Sequence, residues 1–596
     1  MSEPDRVFDP AIPRAMYTRV FGPSLLSALT LSLANVADAL VVGQRMGETG
    51  LAAIGLVTPI YLLYNLLGAS ATGGGSITHA QLTAAGKRED ALAHFRHLAA
   101  MLLGISLVIA ALGNGFMGAV LNLLGAREDY ASLRSMVEIY ARPLLGAAPV
   151  FMLNFLLYDF VRADDNPRLA ALGFTAGCTL DLTLNILFVL ILRWGVAGAI
   201  WATVISQSVS VGILSTHLFG RRGVLRLKAV LQARPMWQEA RAATRNSLRV
   251  GFATSLRFLL QFAFLMMGNH LLLDAGRRGL IDGNLYVAVF DLIMNVSYLA
   301  CSVWQAASES MQPLAATFHV EHDQRSLQYV LKLSLGAGLA TGLALSGALA
   351  LGARPVAALF GLGAPLARRA AEPAIRIYLL STPLAGVLTV MTAYYQSTEQ
   401  VRISDFTALM RNGVCLLPLT LIAGLFLPER FWWVFPLAET LSALVLGLWW
   451  RWRKKHARRR EIPVCSAMMT NDSHELSQVV ERVSLFCEEQ EVPMKISVQL
   501  QLAVEELCAV TMEKAFSGQK GELIQVTLAA EPDGRYVLHI RNTAPYFNPL
   551  DLRMGRAQAD MGNEILDSIG VMMVRKQAKA LLYRNYQGYN VLTAIF

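Results

Sequence analysis

The chain has 596 residues, 54% of them hydrophobic and only 16% charged, against about a quarter charged in an ordinary soluble protein. That excludes a disordered or fibrous chain and argues against an ordinary soluble enzyme. The formal charge of +9 is uneven, with a net +14 over residues 1–460 and a net −5 over residues 461–596, so the basic balance is not a nucleic-acid footprint and no nucleic-acid partner is expected.

Met1 to Arg14 is polar and carries no cleavable leader pattern. Apolar runs then recur to Trp450. The expected spans are 17–43, 50–76, 93–124, 134–161, 168–192, 196–219, 249–275, 283–311, 328–351, 371–397, 406–427 and 431–450, each about the 20 residues that cross a bilayer as a helix. The second span of each half is expected to run into a polar loop with a helix turn, at Gly75–Leu82 and Glu309–Ala316. The loop Arg221–Arg249 holds eight Lys and Arg, and Arg451–Arg460 holds seven. Both follow an even number of spans, so the positive-inside rule places them, with both chain termini, in the cytoplasm. Two six-span halves in one orientation are a transporter architecture, with the site between lobes near the midplane. The expected organisation is a cytoplasmic N-terminus (1–14), an N-lobe (15–220), a basic inter-lobe loop (221–248), a C-lobe (249–452), a basic linker (453–462) and a second domain (463–596).

Carboxylates at bilayer depth are functional-site candidates. Asp38 lies deep in the first span with Asn35 three residues before it, on the same helix face. Asp181 and Asn185 in the fifth span are spaced i,i+4, and Asn154 in the fourth completes an N-lobe set that can trade a proton for Na⁺ or a cation. In the second half Asp291 and Asn295 repeat the i,i+4 spacing. With Glu439 and the aromatic rings of Tyr64 and Tyr298, they are the expected lining of a cavity for a cationic substrate. Lys and Arg are expected to be scarce inside the spans. The six cysteines have no zinc or disulfide spacing, and no catalytic residue or metal site is expected in the body.

Several pieces in order resemble the multidrug and toxic compound extrusion (MATE) family of transporters. They are Asn35-Val-Ala-Asp-Ala-Leu-Val-Val-Gly43, Leu51-Ala-Ala-Ile-Gly-Leu-Val-Thr-Pro59, Arg162-Ala-Asp-Asp-Asn-Pro-Arg-Leu-Ala170, Gly195-Val-Ala-Gly-Ala-Ile-Trp-Ala-Thr203, Met311-Gln-Pro313, Tyr394-Tyr-Gln396 and Pro436-Leu-Ala-Glu439. The resemblance spans about residues 15–452. It implies export of amphipathic, cationic compounds driven by inward H⁺ or Na⁺, with Asp38 at the family's first-span acidic position. The family commonly has Asn before Asp in the fifth span; Asp181 and Asn185 stand in swapped order.

After Arg460 the pattern changes to an α+β domain, with strands at 462–469, 523–529, 536–541, 580–585 and 590–595. Helices are expected from Asn471 to about Glu491, from Pro493 to about Phe516 and over 563–576, on one face of a single sheet. Leu502-Ala-Val-Glu-Glu-Leu507, Tyr546-Phe-Asn-Pro-Leu550, Ile569-Gly-Val-Met-Met-Val-Arg575 and Gly588-Tyr-Asn-Val-Leu592 resemble the ATP-binding domain of anti-sigma-factor serine kinases, in the GHKL ATPase superfamily. The resemblance assigns Glu506 to the family's polarising Glu, Asn542 to its adenine-reading Asp and Gly570 to its lid. Val510 stands where the family holds Mg²⁺ with Asn, Ala544 where it has Gly, and Ser568 where the lid has a second small residue. Valine offers a hard cation no oxygen. A degenerate regulatory or partner-binding module is therefore expected, whose partner would be a cytoplasmic signalling protein or a second copy; no cofactor is required and ATP binding is compromised.

These readings imply a multi-pass protein of the bacterial inner membrane. The rival functions are a membrane-anchored sensor that acts through the tail and a lipid-linked substrate flippase.

Overall fold

The computed structural model describes residues 10–596 except 85–87, 127–130, 165, 221–224, 233–236, 399, 457–461, 517–521, 532–533, 545–546, 552–562 and 587–588. The body is all helix. Its first half comprises α1 (Ala11–Tyr64), α2 (Ser70–Ala84), α3 (Arg88–Gly115), α4 (Met117–Leu124), α5 (Ala131–Gly146), α6 (Ala148–Ala163), α7 (Pro167–Asn185) and α8 (Val196–Phe219). A short α9 (Leu227–Gln232) leads to the second half: α10 (Trp237–Arg277), α11 (Gly283–Val320), α12 (Gln324–Leu351), α13 (Ala353–Leu359), α14 (Pro365–Ser397), α15 (Val401–Leu409), α16 (Leu416–Phe426) and α17 (Val434–His456). Among the described residues ten helices are long and apolar enough to cross a membrane, eleven when the α5–α6 pair, bent by 52°, counts as one.

The expected first and second spans share α1, which breaks at Gly47, where φ is +62°. Only a residue without a Cβ takes that conformation cheaply. Residues 65–69, 186–191 and 410–415 are π-helical turns inside spans, a frequent mark of functional positions. Other boundaries are capped. Asn166 accepts from the Leu169 N–H at 3.3 Å ahead of α7, and Asp282 accepts from the Leu285 N–H at 3.2 Å ahead of α11.

The polar loops expected at 75–82 and 309–316 are absent; both stretches are helical, within α2 and α11. Packing overrides composition here. A Cβ on Gly75 would lie 2.5 Å from the Leu98 side chain, so the small residue buys close approach rather than a turn.

Small residues also hold the C-lobe. The buried indole of Trp304 on α11 sits between Gly338 and Gly342 of α12 and Gly386 of α14. A Cβ would meet its ring at 2.7, 2.6 and 1.9 Å respectively. Among the described residues the most extensive helix contact joins α1 to α11, so the halves meet along the elements that carry Asp38 and Asp291.

The C-terminal domain follows as β1 (Val464–Thr470), α18 (Ser473–Glu489), α19 (Met494–Val510), β2 (Leu523–Ala530), β3 (Tyr536–Asn542), α20 (Asn563–Gln577), β4 (Ala580–Tyr586) and β5 (Tyr589–Ile595). The sheet is antiparallel in the order β1-β2-β3-β5-β4. Ala467, Ile524, Val526, Leu538, Ile540 and Leu592 pack one face into a core with the helices. This is the expected α+β arrangement, reached because strand residues alternate between faces. Asp472 caps α18 by accepting from the His474 N–H at 2.9 Å. The β2–β3 connection lies partly outside the described residues, but its Gly534 has φ +82°.

The other sheet face is not bare. His539 on β3 is buried, and its Nδ1 lies 3.0 Å from Thr593 Oγ1. Burial, then Arg541 and His322 close by, push its imidazole down to about 4, against the opposing pull of Asp323.

Gly386→Leu should lower the apparent melting temperature of the purified protein, an overpacking cost of about 1–3 kcal/mol. Gly347→Leu, with nothing within 4 Å of its Cβ position, should leave it unchanged.

For His539 the packed state holds the neutral ring. Its contribution is complete above pH about 6.5 and declines by about 1.4 kcal/mol per pH unit as pH falls toward 4. Hydrogen exchange over residues 536–542 should therefore accelerate between pH 6.5 and 4.5 after correction for intrinsic rates, and His539→Gln should flatten that dependence.

Candidate functional site

The N-lobe candidates on α6 and α7 converge on one turn of α8. Ser206 donates to Asp181 Oδ1 at 3.2 Å. Asn154 Nδ2 donates to Gln207 Oε1, and its own Oδ1 accepts from Ser210 at 3.4 Å. α7 comes close because it presents Gly177, whose Cβ would lie 3.2 Å from the Ser210 side chain. Asn185 is fully buried one turn beyond Asp181. Asn35 and Asp38 lie on the described helix α1, but their side chains fall outside the described residues.

In the C-lobe Asn295 Nδ2 donates to Asp291 Oδ2 at 3.0 Å and to its backbone carbonyl at 2.9 Å. Asp291 is 5% exposed and faces the other half, since a Cβ on Gly55 of α1 would stand 2.9 Å from the Asp291 Cβ. Asn269 of α10 donates to the Gly55 carbonyl at 3.1 Å, locking the same crossing. Tyr298 lies two turns on along the same face of α11 and is exposed. Asp291, Asn295 and Tyr298 thus form one stripe at the contact between halves.

Two expected cavity residues sit elsewhere. Tyr64 is 1% exposed, donates to the Leu144 carbonyl at 2.9 Å and packs on Phe151, so it belongs to the N-lobe core. Its ring is large enough to fill the gap between α1 and α5–α6, and its hydroxyl finds a partner there. Glu439 lies on α17, where Oε1 accepts from Arg411 Nε at 2.7 Å, while Arg411 Nη1 reaches Thr389 Oγ1 at 3.1 Å.

Arg411 corrects the expectation that the spans are poor in basic residues. It lies in the π-helical turn 410–415 of the eleventh expected span. An arginine at that depth requires a partner, and Glu439 supplies it. The signal was present in the sequence as a charge inside an apolar run, but its partner is 28 residues away.

A second cluster, at the end of the N-lobe where α8 ends, was also missed. His217 Nε2 lies 2.9 Å from Asp164 Oδ2, which also accepts from the Leu225 N–H at 2.9 Å; His79 Nε2 stands 3.7 Å from the other oxygen. Beside it His94 Nε2 lies 2.9 Å from Ser247 Oγ, which donates to Thr78 at 3.1 Å. These contacts join α2 and α8 to Asp164 in the α6–α7 connection, and α3 and α10 to α2.

In the C-terminal domain, the nucleotide positions are closed on themselves. Asn542 Oδ1 accepts from Asn590 Nδ2 at 2.9 Å and from the Ala544 N–H at 3.2 Å, while Tyr583 donates to Asn590 Oδ1 at 2.6 Å. Asn542 and Asn590 are buried. Glu506 is pressed against the lid helix, where a Cβ on Gly570 would meet its Oε2 at 1.8 Å. Val510 is buried with no oxygen to offer. The side chain of Ser568 lies outside the described residues. The described residues of this site thus lack the oxygen with which the family holds magnesium.

Residues 23–187 match the MatE family, and residues 469–596 match the histidine kinase-like ATPase domain. The chain is 20% identical over 429 residues to the multidrug export protein MepA of Staphylococcus aureus, across 72% of this chain and 91% of that protein. It is 21% identical over 431 residues to the MepA of Staphylococcus saprophyticus, with the same coverage. Its fold is similar to an inward-facing conformation of a multidrug resistance MATE family transporter of the MOP superfamily. The TM-score is 0.62 at 21% identity, over 73% of this chain and 98% of that one. An outward-facing conformation of such a transporter gives a TM-score of 0.56 at 22% identity, over 74% and 96%.

Glu439→Ala should destabilise the body by about 1–3 kcal/mol, because it strands the half-buried Arg411 charge. The double variant Arg411→Met/Glu439→Leu should recover most of that loss in a thermal-shift assay.

Proposed function

We propose that this chain, a multi-pass membrane protein carrying a MatE domain and a C-terminal histidine kinase-like ATPase domain, is a secondary active antiporter. It exports amphipathic, cationic small molecules in exchange for H⁺ or Na⁺. It sits in the bacterial inner membrane with both termini in the cytoplasm, and its C-terminal domain regulates rather than catalyses.

The observation that carries the reading is Asp181, a carboxylate inside an apolar span whose bonding partner is the neutral hydroxyl of Ser206. Such a group is held neutral by a proton or balanced by Na⁺, and it releases either one when the local environment changes. Asn185 and Asn154 are further candidates on the neighbouring turns, and the resemblance adds Asp38 and Asn35 of α1 as candidates for the coupling ion. Asp291, Asn295 and Tyr298 lie where the halves meet, so a bound cation there feels their relative movement. Alternating access then links the two events, because opening one side exposes one set of carboxylates at a time. The MepA relatives, whose printed name is multidrug export protein, support the substrate class.

A flippase for an anionic lipid-linked substrate would need a cation free to meet a phosphate. The Arg411 charge is taken by Glu439, and Arg257 in the span Ser255–Arg277 lies over the Phe258 ring, so Arg257→Ala is the variant that separates this reading from cation export. A sensor role predicts that signalling depends on residues 461–596 while no transport occurs.

The test is efflux of a cationic dye from proteoliposomes under separately imposed H⁺ and Na⁺ gradients. Asp38→Asn should abolish gradient-driven efflux while the protein stays folded, and Asp181→Asn should reduce it at least tenfold. Undiminished efflux in Asp38→Asn would sink the coupling assignment. A chain lacking residues 461–596 should still transport.

A further inference from the structure

A domain with helices on one sheet face ordinarily wets the other. Here the outer face is polar and yet buried: Gln525 and Thr527 of β2 are each 3% exposed, and Arg541 of β3 is 2% exposed. The register explains why they form one patch, since Gln525 stands opposite Arg541 and Thr527 opposite His539. Among the described residues of the C-terminal domain, no helix packs on this face. The turn between α11 and α12 of the membrane body does.

The contact is specific. Arg541 Nη2 donates to Glu321 Oε2, in an ion pair whose side chains are 3% and 7% exposed. The Arg541 guanidinium lies 4.7 Å above the Phe318 ring. Gln525 Nε2 donates to Asp323 Oδ2 at 2.6 Å, and its Oε1 accepts from Arg541 Nη1 at 3.0 Å. Asp323 uses its other oxygen to cap α12 through the Ser326 N–H at 3.0 Å. Tyr589 of β5 joins a buried cluster with Ile12, Met16 and Tyr17 at the start of α1. An arginine on the outer face of a strand is tolerable in a dry place only with a matched carboxylate. The carboxylate lies 220 residues earlier, in the body.

The patch therefore grips two elements at once. One is α11, whose far part carries Asp291 and Asn295. The other is the start of α1, the helix of Asp38. The two belong to opposite halves, which must shift relative to one another in alternating access.

We propose that the outer face of the C-terminal sheet is a self-docking surface for the α11–α12 turn and the start of α1 of the same chain, and that the docked domain is an autoinhibitory clamp on the movement of the two halves. The effect on rate rests on the transport reading above; the docking surface does not. β3 offers a route for control, because Arg541 faces the body while its neighbour Asn542, on the opposite sheet face, is bonded to Asn590. A partner that disturbs the Asn542–Asn590 pair would loosen the grip.

The experiment uses the full chain in nanodiscs for hydrogen exchange and in proteoliposomes for efflux of a cationic dye. Four forms are compared: wild type, Glu321→Arg, Arg541→Glu and the double charge swap, with Gln525→Ala as a milder variant. Each single reversal should raise exchange at least tenfold over residues 318–326, 523–529 and 536–542, and should speed efflux at least threefold. The double swap should restore both, and Gln525→Ala should move both in the same direction by less. Unchanged exchange in the single reversals would overturn the docking surface. Raised exchange with efflux unchanged or slower would overturn the clamp. Protection that vanishes on dilution to single copies would show the surface to be filled by a second chain, which also overturns self-docking. A chain that exports no dye in any form would defeat the transport reading and the clamp with it, while exchange would still decide the docking surface.

Discussion

A charge removed from water costs several kcal/mol unless a partner or a proton compensates it, and that penalty organises this molecule. Each informative side chain meets it differently. Asp181 meets it with a hydroxyl and Asp291 with an amide. Arg411 meets it with Glu439, and Arg541 with Glu321. Among the described residues the first pair have neutral partners, which is what the proposed ion exchange requires. The second pair are matched, so their charge is spent on holding elements together. The same penalty thus separates side chains suited to ion coupling from side chains suited to structure.

Close helix packing provides the frame in which those partners meet. In hydrocarbon there is little hydrophobic force between helices, so association depends on shape and on small residues. The Trp304 indole among three glycines fixes α11 against α12 and α14. Gly55 and Gly177 do the same for the contacts that position Asp291 and the α7–α8 cluster. At the break in α1, Gly47 serves by conformation instead, through its positive φ.

Much of this was legible in the sequence because it is local. The sixth expected span coincides with α8 at Val196–Phe219, since an apolar run between a glycine and a basic loop needs no distant information. The strands and helices of the C-terminal domain were legible from alternation, caps and Pro493. The polar stretches at 75–82 and 309–316 misled because their glycines, serines and proline look like loop residues. In place, neighbouring helices supply the packing that keeps them helical. Tyr64 looked like a ring for a cationic ligand because its type is shared by binding sites and cores. Only its bond to the Leu144 carbonyl and its burial assign it to the core.

By itself the sequence determined the all-helical membrane body, the α+β C-terminal domain and the set of carboxylates inside the spans. These follow from hydropathy and from periods of two and 3.6 residues, which are short-range properties of a chain. Only the tertiary structure decided which of those charges have partners. Arg411 finds Glu439 across 28 residues, and Arg541 finds Glu321 across 220. Ion pairing depends on distance in space, and separation along the chain carries no record of it. The composition that opened the reading, apolar and basic in one part and acidic in the other, therefore describes two domains whose contact includes a buried pair of opposite charges.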